Sequence, residues 1–175
     1  MTLRNVEIKA RITSVPELQE ILALQGIEEL TEHIVQTDTY FNVSRGRLKL
    51  REFPGDTGAT SQLIYYCRAD EAGAKVSDYQ ILEMPDADVA KRLFADALGV
   101  KAVVHKERYL YMLGRTRIHI DDVKDLGSFL EIEVVLADGE EAEAGEAEAA
   151  HIIADLGIGV DAFISGFYCD LVSAL

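Results

Sequence analysis

Gly46-Arg47-Leu48-Lys49-Leu50-Arg51-Glu52 decides the reading of this chain. Arg47, Lys49 and Arg51 alternate with Leu48 and Leu50, and a period of two puts the cations on one face of a strand and the leucines on the other. Like charges stacked along one face repel unless something anionic sits among them. The alternation recurs outward from this strand. Asn5, Glu7, Lys9 and Arg11 oppose Val6, Ile8 and Ile12; Lys106 and Arg108 share a face; Arg117-Ile118-His119-Ile120-Asp121 alternates again; Glu131 and Glu133 oppose Ile132 and Val134.

Between these strands lie helix signals. Ser14-Val15-Pro16-Glu17 predicts a helix start, with Ser14 as N-cap and Glu17 completing a capping box. Leu18, Ile21, Leu22 and Leu24 give that helix its apolar face, and Gly26 stops it. A second helix is expected over Pro85 to Leu98, covering the strands with Val89, Leu93, Phe94 and Leu98, and a third from about Ala144 to Leu156. Further strands are expected up to Phe41, over Gln62 to Arg68 with Ile64, Tyr66 and Arg68 on one face, over Tyr79 to Met84, and over Val100 to Leu113. Glu71 to Ser77 reads as a hairpin connection. A short tail ends in Tyr168-Cys169-Asp170-Leu171.

Two architectures fit this pattern. One is a half-exposed antiparallel sheet, apolar side on helices and polar side in water. The other is a barrel closed around the charge, with hydrocarbon outside under helices. About eight strands without a sacrificial edge favour closure. So does the clustering of cations where a solvated face would mix signs. A charged lumen then needs water, counter-charges or a polyanion to fill it. The fold class expected is α+β, an eight-stranded antiparallel closed barrel with a charged lumen.

The 175 residues suit one domain, 1–175, with a sizeable core. The net charge of −14 argues against a general nucleic-acid binder. A small anion is compatible, because nine of the 17 Lys and Arg fall on the alternating faces. The acidic run from Asp138 to Glu148 reads as a solvated loop and helix start. No apolar run reaches about 18 residues, so no membrane span is expected. The N-terminus has no signal-peptide pattern, and Cys67 and Cys169, far apart, read as free thiols of a cytoplasmic protein.

Val6-Glu7-Ile8-Lys9, Asp38-Thr39-Tyr40-Phe41, Leu48-Lys49-Leu50-Arg51, Tyr66-x-Arg68, Arg117-x-His119-x-Asp121 and Glu131-x-Glu133, in this order, resemble the CYTH, or triphosphate tunnel, superfamily. That superfamily includes class IV adenylyl cyclases, thiamine triphosphatases and inorganic triphosphatases. The resemblance runs from Asn5 to the tail and implies an eight-stranded barrel that binds a triphosphate with a divalent metal. The family's opening motif is Glu-x-Glu-x-Lys; here Asn5 stands at the first Glu, supplying an amide oxygen without charge.

Hard cations such as Mg²⁺ or Mn²⁺ prefer carboxylate oxygens, which makes Glu7, Glu131 and Glu133 the metal candidates, with Asp121 the weaker one. Lys9, Arg47, Lys49, Arg51, Arg68, Lys106, Arg108 and Arg117 are the triphosphate-binding set, Arg suited to bidentate contact and Lys to point charge. Lys9, Arg51, His119 and Tyr40 are the catalytic candidates; a strand histidine or tyrosine of this kind also serves as hydrogen-bonding filler or packing. The implied activity is class IV adenylyl cyclase-like, ATP to cyclic AMP and pyrophosphate. An inorganic or thiamine triphosphatase is the alternative, and a non-catalytic nucleotide or polyphosphate sensor a third. The partner expected is thus a nucleotide or an inorganic or organic triphosphate, not nucleic acid or membrane, with a homodimer left open.

Overall fold

The structure is a computed structural model that describes residues 3–56, 58–68, 73–165 and 167–174, the side chains of Leu3 and Arg68 excepted. Eight strands alternate in sequence with three longer helices and a short C-terminal one. The strands are β1 (Leu3–Arg11), β2 (Glu32–Phe41), β3 (Arg47–Glu52), β4 (Ser61–Arg68), β5 (Lys75–Met84), β6 (Val100–Leu113), β7 (Thr116–Val123) and β8 (Gly127–Val135). The helices are α1 (Val15–Leu24), α2 (Ala87–Leu98), α3 (Ala142–Asp155) and α4 (Tyr168–Val172). The strands close in the order β1-β5-β4-β3-β2-β6-β7-β8, every neighbour antiparallel. Closure leaves no sheet edge unpaired, and the open-sheet alternative is excluded.

The period of two sorts the side chains as the pattern requires. The outer face of β1, β7 and β8 presents Val6, Ile8, Ile118, Ile120, Leu130, Ile132 and Val134 to Leu18 and Leu22 of α1 and to Ile152 and Ile153 of α3. Burying one such aliphatic side chain stabilises by roughly 1.5–3 kcal/mol, so this layer anchors the helices. Helix α1 is capped as expected, with the Glu17 amide donating to Ser14 Oγ at 3.3 Å. Helix α3 reaches the sheet because residue 145 is glycine: a Cβ there would lie 2.9 Å from Val6 Cγ2. Gly46 enters β3 at φ +66°, where a Cβ would also lie 2.7 Å from the Tyr66 carbonyl oxygen.

Helix α2 lies differently from its apolar periodicity. Asp86 caps it through the Val89 amide, and it turns Ala90, Phe94 and Ala95 onto Phe41, Leu48 and Leu50. Val89 and Leu93 remain 47% and 58% exposed. The alanines let the helix come close to bulky Phe41 and Leu48, and this outweighs burying the larger side chains on the neighbouring stripe. The hairpin expected at Glu71 to Ser77 falls partly outside the described residues, and β5 already begins within it, at Lys75. Among the described residues, no helix is long and apolar enough to cross a membrane.

The chain's end supplies what sequence patterning did not show. Phe167 and Tyr168 enter one end of the barrel and pack with Tyr40, Ala102, Val104, Val123 and Phe129. The Tyr168 and Phe129 rings lie 5.0 Å apart, centroid to centroid. This aromatic layer closes that end and makes the tunnel a pocket.

Candidate functional site

The lumen holds a cavity of about 320 Å³. Lys9, Lys49, Arg51, Lys106, Arg108 and Arg117 line it, together with Glu7, Glu131, Glu133 and His119. Each comes from the inward face of its strand, the same face that β3 announces in sequence.

Two aspartates stand behind the cations. Asp38 of β2 faces Arg51 across the ladder. Its Oδ1 accepts from Arg51 Nε at 2.8 Å, and its Oδ2 accepts from Arg51 Nη2 at 2.9 Å and from Lys49 Nζ at 2.7 Å. Asp121 of β7 repeats the arrangement opposite Arg108. Arg108 Nε donates to its Oδ1 at 2.6 Å; Arg108 Nη2, Lys106 Nζ and the Tyr168 hydroxyl donate to its Oδ2 at 2.7, 3.0 and 3.0 Å. Each aspartate thus fixes one Arg and one Lys, leaving a net positive clamp aimed at the cavity. Burial alone would raise both carboxyls, but the guanidinium and ammonium partners hold both below the ordinary range. Asp121 therefore does not join the other metal candidates: its oxygens are taken up by Lys106, Arg108 and Tyr168.

The glutamates do gather. Glu7 and Glu133 are direct cross-strand neighbours, and Glu131 is one inward position along. One carboxylate oxygen from each of Glu7, Glu131 and Glu133 lies within 4.8 Å of the others, the spacing of a shared cation. Lys9 Nζ sits 3.3 Å from Glu131 Oε2, Arg108 Nη2 lies 3.1 Å from the same oxygen, and Arg117 Nη2 sits 2.7 Å from Glu133 Oε2. Burial opposes ionisation of Glu133, yet the His119 ring, with help from Arg117, holds it down to about 2. The buried Oδ1 of Asn5 accepts no hydrogen bond. Three converging carboxylates, with the orphaned amide oxygen of Asn5 lining the same cavity, are a donor set that fits a hard divalent cation.

His119 is buried, with Nε2 3.4 Å from Glu133 Oε2. Burial, then Arg108, lowers its pKa against the pull of Glu133. Tyr40 lines the cavity beside the aromatic layer, and burial, then Asp38, pushes its phenol well above the ordinary value. Burial and then Arg51 lower the Lys49 ammonium to about 8, while burial and then Arg108 lower Lys106 to about 7. Both lysines titrate near neutrality.

Arg47 turns away from the cavity. Its guanidinium lies 4.2 Å over the Phe167 ring and 3.3 Å from Asp170 Oδ2, so it holds the closing segment. Lys101 pairs with the same aspartate. The Arg68 side chain lies outside the described residues. Sequence reasoning did not assign roles to Asp38, Tyr79, Ile81 or Tyr168. Asp38 was visible as an inward-facing acid on β2; Tyr168 had no signal beyond an aromatic pair in a tail.

Compared with known proteins, residues 3–168 match the CYTH domain. The PH1012 protein of Pyrococcus horikoshii superposes with a TM-score of 0.84 at 23% identity, over 96% of this chain and 99% of its own. A proposed adenylate cyclase from Vibrio parahaemolyticus gives a TM-score of 0.73 at 16% identity, over 97% of each chain. At such identities these structures share the fold alone. No curated protein matches the chain. The family match spans nearly the whole chain, and the chain belongs to the CYTH domain family.

Proposed function

We propose that this CYTH-domain chain binds a triphosphate together with a divalent cation in its lumen and catalyses attack on one of the phosphorus atoms. The observation that supports this is the juxtaposition of six lining cations with one compact trio of glutamates. A triphosphate spreads about four negative charges over a short chain, and fixed Arg and Lys side chains hold such charge in place. Glu7, Glu131 and Glu133 would hold Mg²⁺ or Mn²⁺, which neutralises charge on the transferring phosphoryl group.

The residues of the chain divide the work. Lys49 with Arg51, and Lys106 with Arg108, are two clamps held rigid by Asp38 and Asp121, so little reorganisation accompanies binding. Lys9 and Arg117 flank the glutamates and reach the phosphates nearest the cation. His119 steadies Glu133. Two reactions suit this frame. A ribose hydroxyl attacks the α-phosphorus and pyrophosphate leaves, as in a class IV adenylyl cyclase; or water attacks the terminal phosphorus, which becomes orthophosphate as the diphosphate leaves, as in a triphosphatase.

Incubating the protein with ATP, thiamine triphosphate and tripolyphosphate under Mg²⁺ and Mn²⁺, and identifying the products, tests the reading. Cyclic AMP with pyrophosphate marks the cyclase, and orthophosphate the hydrolase. Tight binding with no product from any of the three would leave a sensor and end the enzymatic reading.

A further inference from the structure

The lumen holds its arginines and its lysines differently. Arg51, Arg108 and Arg117 each lie on a carboxylate, those of Asp38, Asp121 and Glu133. The three lysines that line the cavity, Lys9, Lys49 and Lys106, also lie over tyrosine rings. Lys49 Nζ is 5.5 Å from the centre of the Tyr40 ring and 5.8 Å from that of Tyr66. The closest approach is at Tyr168, whose ring centre is 4.0 Å from Lys9 Nζ and 5.1 Å from Lys106 Nζ. An ammonium group within about 6 Å of a ring centre is attracted by the negative face of the π system. Lys9 belongs to β1 and Lys106 to β6, two strands that are not neighbours in the barrel. A single ring from the chain's end therefore joins two walls of the lumen.

That ring is fixed on every side. Its hydroxyl donates to Asp121 Oδ2 at 3.0 Å, its face meets Phe129, and the residue is buried. Just beyond it, Asp170 is paired with both Arg47 and Lys101. An aromatic ring also does what an acid could not do at this place. Each ammonium group already has one carboxylate: Lys9 Nζ lies 3.3 Å from Glu131 Oε2, and Lys106 Nζ 3.0 Å from Asp121 Oδ2. A further carboxylate would hold them harder but would cancel the charge that attracts phosphate. The face of a tyrosine carries no net charge. It offsets part of the desolvation of a buried ammonium group and leaves the positive charge to the lumen. An aliphatic side chain there would let each lysine fall back onto its own carboxylate.

We propose that Tyr168 is a positioning residue for triphosphate binding: its ring holds the Lys9 and Lys106 ammonium groups where the phosphate chain meets them. This rests on the triphosphate reading above. Tyr168 acts through the two lysines, by the electron density of its face, and the hydroxyl serves only to orient the ring.

Calorimetric titration of the full chain with tripolyphosphate tests this, with EDTA present so that no turnover occurs. The proteins compared are the native chain, Tyr168→Phe, Tyr168→Leu, and three forms in which a phenylalanine bearing one, two or three ring fluorines replaces Tyr168. Fluorine withdraws electrons from the ring face in steps and hardly changes its shape. Tyr168→Phe keeps the face and should bind within about threefold of the native protein. The Kd should then weaken with each fluorine, reaching about tenfold at three, and Tyr168→Leu should fall at the same level. A ring that only fills space would give one Kd across the fluorinated series, and that result overturns the proposal. So does a Tyr168→Leu protein that binds as tightly as the native one. Should Tyr168→Leu fail to fold, the nearly isosteric fluorinated series decides alone. Failure of the native protein to bind tripolyphosphate would instead remove the triphosphate reading itself, and the positioning role with it.

Discussion

Two sets of buried carboxylates share this barrel and behave in opposite ways. Asp38 and Asp121 are each saturated, both oxygens accepting from an Arg and one of them also from a Lys of the neighbouring strand. Glu7, Glu131 and Glu133 converge on one another instead. Register makes the difference. Asp38 faces Arg51 and Asp121 faces Arg108 across their ladders, while Glu7 faces Glu133. The first two pairings put unlike charges together and build rigid clamps; the third puts like charges together and costs free energy that a cation would relieve. Each aspartate meets the arginine across its ladder and the lysine two residues along the same strand, whereas the glutamates line the cavity and meet one another.

Removing the carboxylate of a clamp should have the largest effect. Asp121→Ala or Asp38→Ala strands two buried cations, and breaking such a pair costs about 3–5 kcal/mol. Urea unfolding should show that loss in each variant. A loss below about 1 kcal/mol would mean that water solvates the cations and that the clamps do not hold the barrel. The double change Glu131→Gln with Glu133→Gln should leave the unfolding midpoint near that of the native protein, because both side chains keep an acceptor oxygen. It should also abolish Mn²⁺ binding in calorimetry and lower turnover by at least about 100-fold. Unchanged Mn²⁺ binding would separate the glutamate trio from the metal.

That contrast also marks how far sequence could be read. The alternation in β3, β6, β7 and β8 fitted an open sheet as well as a barrel; the number of strands without a sacrificial edge and the clustering of cations favoured closure, and once the ends are joined a period of two has only one consistent inside. The alternation then sufficed for the inward glutamates and for most of the cations. It could not give register. Whether Asp121 meets a metal or Arg108, and whether Arg47 reaches the lumen or Asp170, depends on which residues stand opposite and on where α4 packs. Those are long-range contacts with no local signature. The exposed stripe of α2 has the same cause: Val89 and Leu93 have the right spacing, but the close approach permitted by Ala90 decides the face.

The lysines of the clamps offer a gentler test. Lys49 and Lys106 have folded pKa values of about 8 and about 7, below the ordinary 10.5. The unfolded chain therefore binds more protons than the native one between about pH 7 and 10, and the stability of the ligand-free protein should rise with pH across that window. Polyanion affinity should run the other way, since both ammonium groups are needed as cations. The tripolyphosphate Kd should weaken by at least about tenfold from pH 7 to pH 9, with proton uptake on binding that appears as a buffer-dependent heat. A flat affinity over that range would show that the two lysines keep their charge without a ligand. The aspartates act in a separate window. Their folded pKa values are depressed, so the stability they contribute is present above about pH 4 and is lost as pH falls below it.

The smallest effect expected is at Asn5, and it bears most directly on the contrast between the aspartate clamps and the converging glutamates. Asn5 lies on the inward face of β1 two residues before Glu7, across the ladder from Ser77, and its buried Oδ1 accepts no hydrogen bond. It is neutral where the family's opening motif has a glutamate. The trio of Glu7, Glu131 and Glu133 supplies three negative charges, enough for one hard cation whose remaining positions are filled by water. A second cation would meet the repulsion of the first with no added carboxylate to offset it. One site should therefore fill in the free protein, and a second only when a triphosphate brings its own oxygens. Asn5→Glu should raise affinity at the second position by about three- to tenfold, less than a full carboxylate would give in isolation, because the new charge must itself be buried beside three others. Calorimetric Mn²⁺ titrations of both proteins, with and without a non-hydrolysable triphosphate, measure this. Superimposable curves would show that the orphaned amide oxygen points away from the cation, and would confine the metal chemistry of this barrel to its three glutamates.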